Sequence, residues 1–138
     1  MDKKSHKKTN KLTTKGGIPI IIKAISFFLI LGSSIALLLY GYIFFFNLDV
    51  MAEEISIIKN PIISPQVYVI IESLVFISII SGAVFLLYLK KRGIFIILAG
   101  LVSLILMNYT YFVKIDWLYI AVTFTIMLIF GFYWKNFD

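Results

Sequence analysis

The sequence predicts an all-α integral membrane protein: a four-helix transmembrane bundle, N-in/C-in, with a short amphipathic outer-loop helix between helices 1 and 2. Three observations predict it. Of the 138 residues, 61% are hydrophobic and 14% charged, against roughly 45–50% and 25% in soluble domains, so too few polar groups remain to cover a water-facing surface. The mean hydropathy is +1.00. The apolar residues gather into four segments, each close to or longer than the ~20 residues that cross a hydrocarbon core of about 30 Å. The charge, net +6, lies almost wholly outside those segments.

Residues 1–17 hold Lys3, Lys4, Lys7, Lys8, Lys11 and Lys15 against Asp2 alone and end in Gly16-Gly17. They are read as a flexible cytoplasmic tail beside a membrane domain of residues 18–138. Next to apolar helices such a tail suits anionic lipid headgroups, each basic residue contributing about 1 kcal/mol. It lacks the interleaved aromatic residues on which nucleic-acid bases stack, which argues against that partner. The first helix is expected over about 20–46. Pro19 suits its opening turn, and Lys23 can extend its ammonium back to the headgroups. A cleaved signal peptide does not fit, because the chain stays apolar from Leu37 to Phe46, past the small residues Gly32–Ala36.

Residues 47–65 form the outer loop, in which Leu48, Met51, Ile55, Ile58 and Ile62 recur at helical spacing while Asp49, Glu53, Glu54 and Lys59 lie off that stripe. The acids read as a solvated face, because no constrained glycine turn would gather them on a cation. Asn60-Pro61 stops the pattern. Ser64 is expected to cap helix two, about 66–89, with Pro65 in its first turn. Lys90-Lys91-Arg92-Gly93 should end that helix, with glycine as the left-handed cap. Helix three is expected over about 94–113. The connection Lys114-Ile115-Asp116 is short enough to force an antiparallel helix four, about 117–134, capped by Asp116.

Basic residues set the orientation. With both termini inside, the cytoplasm receives the tail lysines, Lys23, Lys90, Lys91, Arg92 and Lys135, and the outside only Lys59 and Lys114. Lys23 and the Lys90–Arg92 run are accordingly read as topological determinants that meet lipid headgroups. This describes a multi-pass protein of the plasma (cytoplasmic) membrane.

The chemical inventory is narrow. Cysteine is absent and the single histidine, His6, lies in the tail. Disulfides, thiol redox pairs, cysteine-based zinc sites, bis-histidine haem and histidine proton relays at membrane depth are therefore excluded. No cofactor is implied, and no nucleophile elbow or phosphate-binding glycine loop is present. Glu72 is the acidic residue at membrane depth, about 7.5 Å of helical rise past Val67. A carboxylate there costs several kcal/mol unless it is protonated, paired or wet. Tyr68 lies one turn before it, and Asn108 and Thr123 fall at similar depth, so that Tyr68, Glu72, Asn108 and Thr123 form a candidate intramembrane polar cluster. Small residues four apart, as in Gly32/Ala36, Ser78/Gly82, Ala99/Ser103 and Ala121/Thr125, suit close helix packing. Together these features point away from an enzyme and toward an accessory or assembly subunit that packs with another membrane protein or with itself. The alternative is a small proton- or cation-coupled transporter or channel component using Glu72.

Overall fold

The computed structural model describes residues 18–46, 64–112 and 117–137, the side chains of residues 111 and 112 excepted. Among them are four α-helices and no strand: α1 (Ile20–Phe46), α2 (Pro65–Leu87), α3 (Lys91–Phe112) and α4 (Trp117–Tyr133), the last followed by a 3-10 turn at Trp134–Asn136. All four are long and apolar enough to cross a membrane. The expected basic tail, the outer-loop helix and the Asp116 cap lie outside the described residues.

Helix α2 begins as its sequence dictates. Ser64 is extended, its side chain accepts a hydrogen bond from the Val67 N–H at 3.5 Å, and Pro65 opens the helix. The other end departs from expectation. The N–H of Lys90 donates to the Phe85 carbonyl at 3.0 Å and that of Leu89 to Leu86 at 2.9 Å, the paired bonds of a Schellman cap. The left-handed residue in this cap is Leu89, at φ 55°, and Gly93 does not have positive φ. A leucine in that conformation costs roughly 1–2 kcal/mol, and its side chain compensates by packing against the core. Helix α3 therefore starts at Lys91, and Lys91, Arg92 and Gly93 form its first turn instead of closing α2.

Gly93 is required where it stands for a different reason. A Cβ on it would lie 2.6 Å from the Gly82 carbonyl oxygen and 2.9 Å from the Leu86 nitrogen. A Cβ on Gly82 would meet Ile97 Cγ1 at 2.8 Å, and one on Gly100 would meet Ile79 Cγ1 at 2.6 Å. The backbones of α2 and α3 are thus in direct contact along an antiparallel seam. Lipid offers no hydrophobic drive for helix association, so close approach of this kind is a main source of cohesion. The Ser78/Gly82 pair belongs to the seam. From α3 the contribution is Gly93 and Gly100, seven residues apart, whereas Ala99 is exposed.

Helix α2 is central, packing on α1 at one side and α3 at the other. Helix α4 is attached more lightly. It meets α3, buries only Ile126 and Phe130, and barely touches α1. Between α1 and α4 runs an apolar cleft of about 360 Å³, lined by Phe28, Leu29, Val122 and Ile126 among others. A deeper cavity of about 300 Å³ shares Phe28, Leu29 and Val122 and reaches Phe76, Leu104 and Tyr119. One end of the bundle carries Lys23, the Lys90–Arg92 turn and Lys135. There the Lys91 ammonium sits 5.9 Å over the Trp134 ring, and Phe130 meets Phe137 edge-on at 6.3 Å.

Gly93→Ala should lower stability by about 2 kcal/mol, in the range for overpacked cores, because the two nearest neighbours of the new methyl are backbone atoms. Gly32→Ala, whose Cβ meets nothing within 4 Å, should change it by less than about 1 kcal/mol, in the stabilising direction. Equilibrium unfolding in mixed detergent micelles checks both, and equal losses would refute the glycine seam.

Candidate functional site

The polar cluster lies at the end of the bundle opposite the lysines, and helical periodicity brings its members together. On α2 the buried positions run Tyr68, Glu72, Phe76, Ile79, Ala83 and Leu86, steps of three and four that trace one face. On α3 the buried face runs Ile94, Ile97, Leu101 and Leu104, and Asn108 is its next position. Each face is apolar toward the basic end and turns polar in its last two turns.

Tyr68 is 1% exposed and Glu72 2%. The Tyr68 hydroxyl lies 2.6 Å from Glu72 Oε1, one turn away on the same helix, and 3.2 Å from Asn108 Oδ1 across the α2–α3 seam. Tyr40 of α1 brings its hydroxyl against both the Glu72 carboxyl and the Tyr68 hydroxyl. Its ring is fixed by Phe76, centroid to centroid 5.7 Å. The neighbours that act on the carboxyl are hydroxyls, with no cation among them. Glu72 Oε2 is buried and has no hydrogen-bond partner among the described residues. The cluster therefore joins three helices around one acidic group, with no countercharge among the described residues.

Thr123 does not join it. Its hydroxyl donates to the Tyr119 carbonyl of its own helix at 2.7 Å. This is the general behaviour of hydroxyls in these helices: Ser78, Ser81, Ser103, Thr110 and Thr125 also donate to carbonyls three or four residues back. Short hydroxyl side chains reach their own backbone more easily than a neighbouring helix, whereas a tyrosine holds its O–H beyond that reach. Lys23, Lys90, Lys91 and Arg92 lie at the far end and take no part.

Tyr40 is the member that the sequence reading did not include. A signal for it existed. Ser26, Ser33 and Tyr40 follow one another at seven-residue steps, and Ser26 and Ser33 are buried. This polar line runs down the buried side of α1.

The arrangement can hold a proton or a small cation at the carboxyl, and it ties helices together by hydrogen bonds worth about 1 kcal/mol each in a bilayer. Neither the residues nor their spacing supply a nucleophile and base pair. Among the described residues no group of three or more histidine, cysteine or acidic side chains is placed to hold a metal ion.

Tyr68→Phe removes the hydroxyl that lies against Glu72 Oε1 and Asn108 Oδ1 and should lower stability by about 1–3 kcal/mol. Thr123→Val, which removes only a bond within its own helix, should cost less than about 0.5 kcal/mol. Parallel unfolding of the two variants checks this ordering. No protein-family model matches the chain, and no curated protein or solved structure shows significant similarity to it.

Proposed function

We propose that this chain is a small polytopic membrane protein without catalytic machinery, acting as an accessory or assembly subunit that packs with another membrane protein or with a second copy. The observation that carries this reading is the open side of the bundle. Helices α1 and α4 stand apart across a cleft of about 360 Å³, and α4 buries only two of its side chains. A bundle that its described side chains leave unfilled at membrane depth is suited to receive a neighbour. We place it in the cytoplasmic membrane with both termini inside, a reading supported by the gathering of Lys23, Lys90, Lys91, Arg92 and Lys135 at one end.

A photo-crosslinking residue at Val122, which borders both the cleft and the deeper cavity, should capture a discrete protein partner in the native membrane. The same group at Ile77, exposed on α2, should not. Equal labelling at the two positions, or adducts with lipid alone at Val122, would count against the subunit reading.

The second reading, a proton- or cation-coupled transporter component using Glu72, is favoured by one observation: a carboxyl 2% exposed with an unpartnered oxygen. It predicts that Glu72→Gln abolishes a proton- or cation-dependent flux in proteoliposomes. Parental flux in that variant removes Glu72 from the pathway.

A further inference from the structure

The Tyr68 hydroxyl has one proton and stands against more than one acceptor. Glu72 Oε1 lies at 2.6 Å and Asn108 Oδ1 at 3.2 Å, and a single O–H cannot serve both. The second hydrogen must come from elsewhere. Tyr40 directs its hydrogen at Glu72, so it does not supply Asn108. Among the described residues, no lysine, arginine or histidine acts on the carboxyl. Glu72 Oε2, buried and without a hydrogen-bond partner, suits the carbonyl oxygen of a neutral acid. It does not suit half of a carboxylate, which would be left bare in a medium that solvates no charge.

We propose that the cluster is a site for one exchangeable proton, carried on Glu72 Oε1, and that this proton decides whether α2 and α3 are tied at this end of the bundle. With the proton bound, Glu72 donates to the Tyr68 oxygen, and Tyr68 donates across the seam to Asn108 Oδ1. When the proton leaves to water, the Tyr68 hydrogen turns to the carboxylate at the shorter distance. Asn108 Oδ1 then loses its donor and the cross-helix bond opens. Among the described residues, the groups that act on the carboxyl are Tyr40 from α1 and Tyr68 from α2, with Asn108 of α3 against the Tyr68 hydroxyl and Tyr119 of α4 beside Tyr40. All are neutral, so the proton is the switching charge in the cluster. The tie is present at pH below the titration of Glu72 and lost above it. The inference holds whether or not the protein moves a solute, and independently of any partner at the α1–α4 cleft.

The test uses the full chain in lipid nanodiscs. Because it contains no cysteine, Val67→Cys and Tyr109→Cys introduce a single pair of spin labels at exposed positions of α2 and α3. Infrared spectroscopy follows the protonated carboxyl in the same samples. The expected result is a narrow inter-label distance at low pH that broadens as pH rises, in step with loss of a carboxylic-acid band that is absent from Glu72→Gln. That variant should stay narrow at every pH, since its amide N–H donates to Tyr68. Asn108→Ala should keep the titrating band yet be broad throughout. Should Glu72→Gln fail to fold, Tyr68→Phe assigns the band by shifting it. Absence of a band assignable to Glu72 overturns the proposal. So does a wild-type distance that is constant across the titration, the result expected if the Asn108 amide donates to Tyr68.

Discussion

Lipid tails are as apolar as leucine, so a helix already inside a bilayer gains nothing by hiding leucine against its neighbour. What holds such a bundle is the density of contact and the few polar bonds that cross between helices. In this protein the contact is closest where Gly82 and Gly93 let α2 and α3 touch backbone to backbone and Gly100 admits the Ile79 side chain. The rest of the structure follows from that seam. It draws Ile97 and Ile79 into interdigitation, it demands a turn so short that Leu89 takes a left-handed conformation, and it sets the register that brings Asn108 opposite Tyr68.

The seam also explains where the polar cluster can exist. A carboxyl at this depth tolerates burial only beside donors that cannot drift, and tyrosine hydroxyls held by packed rings meet that need. Tyr40 is pinned by Phe76 and Tyr68 is almost fully enclosed. The cluster thus depends on tight packing of α1, α2 and α3, and α4, which lacks comparable contacts, lies beside it. The bundle divides into a three-helix unit with a polar end and a fourth helix separated from α1 by apolar space. The partner association we propose would use the open side, and the proton site we propose lies on the closed one.

Much of this was legible in the sequence. The four apolar runs, the Ser64-Pro65 start of α2 and the i, i+4 relation of Tyr68 to Glu72 follow from local rules. Those rules act through one helix at a time: hydropathy over about 20 residues, a cap, a side chain one turn away. The expectation that Gly93 would be a helix cap failed for the same reason, because its role is set by Gly82, eleven residues away in the chain and in van der Waals contact across the seam. Thr123 was grouped with Glu72 on depth alone, yet depth does not say which way a side chain turns, and its hydroxyl turned to its own backbone.

By itself the sequence determined that the chain forms helices suited to lipid, where α1, α2 and α4 begin, and that a single acid would stand at membrane depth. These are consequences of solvent and of period, which act along the chain. Only the tertiary structure decided that Tyr40 joins the acid, that Asn108 is reached and Thr123 is not, and that α1 and α4 stand apart. Those facts depend on the rotation of each helix about its axis. In a bilayer, where every face of an apolar helix is equally soluble, that rotation is chosen by steric fit between neighbours and by their crossing hydrogen bonds.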